Sequence, residues 1–260
     1  MRVKDYYVQG KKNLEKNWLV VILSYILMSF SAIISIFVVA IVFSLIIPID
    51  NLGIINKDSA LSIILHIISL MIIVYASIVC YAVFQVGYKY SILDIKDGGS
   101  FKKDAFFNVF NYNFTKTLAL VSKMVIYIFL YSLLFIIPGI IKSIEYSQAV
   151  YILKDNPEFT TKECLLESKR IMQNKKGKYF KILLVPIIIY MMIELISIPL
   201  HGGFSQYMEA GQQDGFNKVN AISTSITILV MVFLEPLLIS IYAIFYRKLV
   251  PYKKDVEERI

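Results

Sequence analysis

Ionisable side chains inside long apolar runs are costly to hold in lipid, so each is a candidate for chemistry. Glu235 lies near the middle of an apolar run from Val219 to Leu249 and is followed by Pro236. A proline there removes a backbone donor, frees a carbonyl about one turn back and can kink the helix. A carboxylate beside such a break could bind a cation, relay a proton or pair with a lysine; it could equally do no more than hold helices together. Glu194 falls in the outer half of the preceding run and is read as reaching the outer headgroups. Lys142 and Glu145 are three apart and share a helical face, where they would neutralise each other. Lys123 lies one turn inside its run and is long enough to snorkel to the surface.

The remaining reactive residues form no pattern. His66 and His201 could join Glu194 at a metal, but no two of the three share a helical turn. Cys80 and Cys164 are too few for a disulfide framework. No Gly-x-Ser-x-Gly elbow, His-Glu-x-x-His pair or phosphate-cradling glycine loop is present. No catalytic residue, cofactor-binding residue or metal ligand is therefore assigned, no cofactor is expected, and the chain is not expected to be an enzyme.

The elements that must position Glu235, Glu194, Lys142 and Glu145 are membrane helices. Of 260 residues, 57% are hydrophobic and 18% charged. Ordinary soluble domains carry about 45–50% apolar and about 25% charged residues. The excess is gathered into runs that reach the roughly 20 residues needed to cross hydrocarbon. The expected spans are 18–47, 60–93, 118–137, 140–153, 182–200 and 219–249, within one membrane domain covering 1–260. Pro138-Gly139 divides the third run from the fourth and, with Pro236, is an expected helix break. Short amphipathic helices are expected on the surface at 101–110 and 161–173, the second opened by a Thr160/Glu163 capping box. Trp18 and the lysines before it look like an interfacial anchor.

Charge sets the orientation. Lys and Arg number five in 1–17, five in 89–116, eight in 154–181 and five in 247–260, but one each in 49–59 and 201–218. Basic segments stay in the cytoplasm, so both termini are expected there, in a multi-pass cell-membrane protein. The basic segments on both sides of 117–153 require an even number of crossings between them: two short spans or a re-entrant hairpin. The net charge of +8 is explained by anionic lipid headgroups, and no nucleic-acid partner is expected. The fold class is thus an all-α polytopic bundle with about six crossings, or four and a hairpin.

One stretch has a family likeness. Pro138-Gly139-Ile140-Ile141-Lys142 is followed by Tyr146-Ser147, Tyr151-Ile152-Leu153, Asn156-Pro157, Glu167-Ser168-Lys169-Arg170-Ile171-Met172 and a Lys-Gly-Lys turn at 176–178. With the basic approach Lys12 to Trp18 and the aromatic helix end Pro236 to Tyr246, this resembles the domain-of-unknown-function 975 family of bacterial integral membrane proteins. The resemblance implies a six-helix membrane protein and no established activity. It is also distantly similar to membrane domains attached to glycerophosphodiester phosphodiesterases, which points to the envelope and supplies no catalytic residues. The expected function is that of a non-enzymatic accessory or immunity-type factor binding a peptide, lipid or membrane-protein partner. The alternative is a transporter or channel component using Glu235 and the Pro138-Gly139 hairpin.

Overall fold

The computed structural model describes residues 2–46, 60–101, 108–110, 112–200 and 218–251. Among them the chain is helical: α1 Val3–Leu14, α2 Trp18–Ile46, α3 Ala60–Lys96, α4 Phe114–Leu134, α5 Ile136–Tyr146, α6 Ala149–Asp155, α7 Thr161–Ile171, α8 Lys176–Leu200 and α9 Lys218–Leu249. Three of these helices are long and apolar enough to cross a membrane: Ile64–Lys96 of α3, Phe114–Leu134, and Thr224–Leu249 of α9. The protein is a membrane protein on that ground.

The surface falls into two zones. In one, large apolar side chains face outward: Leu19, Leu27 and Ile41 on α2, Ile64, Met71 and Ile78 on α3, Ile187, Met191 and Ile196 on α8, and Ile226, Leu229 and Phe233 on α9. Only hydrocarbon can solvate such a surface at low cost, and helices in lipid need not bury their apolar faces. Beyond this zone the same helices change character. On α3, Val83, Val86, Tyr88, Tyr90, Ile92 and Leu93 are buried; on α9, Leu234, Leu238, Ile241, Ile244, Phe245 and Tyr246 are buried. At 1.5 Å per residue, α3 runs roughly 27 Å past Ile78 and α9 roughly 24 Å past Phe233.

These overhangs are wrapped by the remaining elements into a cap that contains most of the buried core. Helix α1 lies along α9, and α6 and α7 pack on each other beside α3 and α4. Gly10 permits the α1–α9 approach, since a Cβ there would stand 2.8 Å from Ile241 Cγ1 and 3.2 Å from Leu237 Cδ1. Asn13 donates to Ser240 Oγ at 3.0 Å, and Ser240 donates to the Gly10 carbonyl at 3.2 Å. Trp18 meets Phe233 edge-on at 6.5 Å, at the level where the two zones join.

Helix α7 begins as expected. Thr160 N donates to Glu163 Oε2 at 2.7 Å and Glu163 N to Thr160 Oγ1 at 3.3 Å, closing the capping box. Its weakly apolar face, Cys164, Leu165 and Ser168, is buried against protein. Ser168 donates to the Glu145 carbonyl at 2.6 Å and accepts from Gln148 N at 3.2 Å, so one hydroxyl serves both backbone ends left free where α5 gives way to α6. Lys123 is exposed, and its amine bonds Thr161 Oγ1 at the start of α7 at 2.6 Å.

The hairpin between α4 and α5 differs from expectation. The chain breaks at Phe135, which is extended with φ −163 and ψ 152, and not at Pro138-Gly139. Pro138 is the third residue of α5, where its missing N–H is one the helix leaves unpaired anyway. Gly139 allows the arms to touch, because a Cβ there would collide with the Ser132 side chain and lie 3.1 Å from Ser132 Cα. The second arm, expected over 140–153, stops at Tyr146 and spans roughly 16 Å. The chain then turns into α6, whose Ala149 to Leu153 are buried in the cap. Pro236 is no break either: α9 is helical through it. Most of the expected surface helix at 101–110 lies outside the described residues, but Phe101 and Val109 are buried, Phe101 edge-on to Tyr88 at 6.0 Å.

Gly10→Val should destabilise the protein by about 1–3 kcal/mol, the range for overpacking a filled contact. Thermal unfolding in detergent would show it, and an unchanged midpoint would mean that α1 does not bear on α9 in this way.

Candidate functional site: charged clusters at the helix ends

The first cluster joins the ends of α3, α6 and α9. Arg247 on α9 donates from Nε to Asp97 Oδ1 at 2.7 Å and from Nη2 to Asp97 Oδ2 at 2.5 Å. The same guanidinium grips Asp155, through Nη1 to Oδ2 and through Nη2 to Oδ1 at 2.9 Å. Tyr246 adds a hydrogen bond to Asp155 Oδ2 at 2.7 Å. Lys154 donates to Asp94 Oδ1 at 2.5 Å and to the Tyr90 carbonyl at 2.7 Å. The planar fork of arginine suits this double bidentate role, which a lysine could not fill. Burial pushes the Lys154 amine down from the ordinary lysine range, against the pull of Asp94. Two cations against three carboxylates leave one negative charge beside a polar cleft of about 500 Å³ lined by Gly99, Ser100 and Tyr112.

The second cluster contains an expected pair. Lys142 Nζ lies 2.7 Å from Glu145 Oε2. A third member, Lys176 at the start of α8, reaches Glu145 Oε1 at 2.5 Å. Lys142 also stands over the Tyr131 ring at 4.8 Å, which brings α4 into the contact. One carboxylate thus ties α5 to α8 and is shared by two ammonium groups.

Glu235 belongs to neither cluster. It sits near the middle of the span Thr224–Leu249, one turn or less from Phe233, where the outward-facing apolar zone ends. The cation whose field acts on it is Lys89 of α3. Tyr25 and Tyr88 are within reach of the same carboxylate charge. On the lipid side, α2 and α9 leave an apolar cleft of about 330 Å³ lined by Tyr25, Ser29, Phe30, Thr227 and Met231. The backbone of Glu194 lies in α8, but its side chain is outside the described residues, as is all of His201. No group of three His, Cys, Asp or Glu could hold a metal among the described residues. Cys164 is fully buried and its thiol is pushed up to about 11 by that burial, which leaves it mostly protonated and inert at neutral pH.

Lys142 and Glu145 are brought together as their spacing implied, whereas Glu235 feels the charge of Lys89 on another helix. The Arg247 cluster was missed. Counting only Lys and Arg passes over Asp94, Asp97 and Asp155, yet carboxylates at the ends of two apolar helices, α3 and α6, were a readable signal. Compared with known proteins, the chain matches no family model, no curated protein and no solved structure.

Arg247 is 6% exposed and its partners 11% and 19%. Arg247→Ala would leave two largely buried carboxylates without their guanidinium and should cost about 3–5 kcal/mol. Asp97→Asn, which keeps the shape and one acceptor, should cost distinctly less. Unfolding midpoints of the two purified variants would rank them, and equal small losses would show that the network is solvated and weak.

Proposed function

We propose that the chain is a multi-pass cell-membrane protein of the non-enzymatic accessory or immunity type, which holds a peptide, lipid or protein partner through its cap and helix surfaces. The observation that carries this reading is the use made of the charged groups: the Arg247 and Glu145 clusters are ties between helix ends. A group already committed to two or three partners is poorly placed to move protons or activate water. The motif run from Pro138 to Lys178 supports membership of the domain-of-unknown-function 975 family and a bacterial origin.

In this reading α2, α3, α8 and α9 cross the bilayer and α4–α5 re-enters from the cap side. The hairpin tip is apolar throughout: Leu133, Phe135, Ile136 and Ile137 are 67, 74, 76 and 70% exposed. An aqueous turn would carry polar residues. Helix α4 as a whole is long enough to cross, but between the charged side chains the arms are short: from Lys123 to Phe135 is roughly 18 Å and from Phe135 to Lys142 roughly 10 Å along the helices. Both are well short of a hydrocarbon core of about 30 Å. The backbone leaves its helix only at Phe135, and Gly139 N still finds the Phe135 carbonyl at 3.4 Å, as backbone at depth requires. Both termini, the lysine-rich α7–α8 turn and the cap lie in the cytoplasm.

The second reading, a transporter or channel component, draws on Glu235, Lys89 and the adjoining α2–α9 cleft. Proteoliposomes separate the two. The accessory reading expects proton and potassium flux no greater than in empty liposomes. Flux that appears with the wild type and disappears in a folded Glu235→Gln variant would put the transporter in its place. For the topology, a Phe135→Cys variant on a background with Cys80 and Cys164 replaced should resist impermeant maleimides from both sides. Labelling from outside would mean two full crossings.

A further inference from the structure

The re-entrant arm α5 and the first turns of α8 do not close on each other. Between them lies a cleft of about 320 Å³, lined by Ile137, Ile140, Ile141, Ile144 and Phe180 with Lys176 at its mouth. Its walls are almost wholly apolar. Ile137, Ile140, Ile141 and Phe180 are all exposed, and Ile144 forms a buried floor. Gly177 also lines it, and a Cβ at that position would meet nothing within 4 Å. The mouth is polar on one side only. Lys142 and Lys176 both contact Glu145, at 2.7 and 2.5 Å, so two ammonium groups share one carboxylate and one positive charge is left over. Lys176 is the more open of the two, at 37% side-chain exposure against 16% for Lys142.

The shape and charge together describe an amphiphile. An apolar slot of this kind in the acyl layer takes a hydrocarbon chain. A net positive charge at the slot's mouth takes an anionic headgroup. We propose that the α5–α8 cleft is a binding site for an anionic phospholipid, with an acyl chain against Ile140, Ile141 and Phe180 and the phosphate at Lys176. The inference rests on the membrane reading above and adds a particular site and ligand class to it. A zwitterionic phospholipid fills the same slot but presents no net charge to Lys176, so it binds less well.

The full-length protein would be reconstituted in vesicles of equimolar phosphatidylglycerol and phosphatidylcholine with identical chains, then released for native mass spectrometry of the lipids it retains. The wild type should retain phosphatidylglycerol over phosphatidylcholine by about fivefold, as expected of one lysine beside an anionic headgroup. Lys176→Gln should bring the ratio close to one while Lys142 still neutralises Glu145. Gly177→Leu fills the mouth from a helical position with open space above it, so the fold is kept, and should lower retention of both lipids. A wild type without preference overturns the site. So does a preference that both variants keep, since the lipid is then held elsewhere. If the protein fails to float with the vesicles at all, the membrane reading falls together with the site, whereas flotation without selectivity removes the site alone.

Discussion

Two helices extend past the lipid-facing zone, and the rest of the structure follows from how that overhang is covered. In hydrocarbon, Leu, Ile and Phe on α2, α3 and α9 need no partner. The next turns of the same helices are just as apolar, Val83 to Leu93 on α3 and Leu234 to Tyr246 on α9, yet they stand among lysines and amides. Exposed to water, each buried Val, Leu, Ile or Phe side chain among them would forfeit about 1.5–3 kcal/mol of transfer free energy. Helices α1, α6, α7 and the start of α8 supply the missing cover. The buried core of this membrane protein therefore lies mainly in its cap.

Covering the overhang brings polar groups inside, and several are met by specific partners, while the Tyr90 and Tyr151 hydroxyls find no hydrogen-bond partner among the described residues. Tyr88 Oη donates to the Val21 carbonyl at 3.0 Å, and Asn108 donates to Ser91 Oγ at 2.9 Å. Ser168 closes the junction of α5 and α6, and Arg247 holds two carboxylates from two other helix ends. Buried ion pairs of this kind add little net stability over apolar packing, but breaking one is costly, so they fix which helix end sits against which. Asp97, Asp155 and Arg247 thus set the register of α3, α6 and α9, and Glu145 does the same for α5 and α8.

The same logic separates the two functional readings. Lys142, Glu145 and Arg247 are each held by neighbours on other elements, as structural groups are. Glu235, which feels the charge of Lys89, is the group least absorbed into such ties, and it lies beside a cleft that opens to lipid. The hairpin contributes differently, through an apolar tip and through the slot that its second arm leaves against α8.

The sequence by itself determined the class of protein, most helix positions and several local devices, because these depend on composition and on contacts within a turn or two. The apolar runs, the Thr160/Glu163 box and the Lys142–Glu145 pair were all legible for that reason. Some local readings still failed. Proline and glycine at 138–139 looked like the break, but proline is tolerated in a first helical turn and the glycine answers to Ser132 across the hairpin. Tertiary structure alone decided which turns of α3 and α9 are covered, where α5 ends, and which charges meet. Lys176 is 31 residues from Glu145 and Arg247 is 150 from Asp97. Periodicity carries no information at such separations, because those contacts exist only once the overhanging helices have been packed side by side.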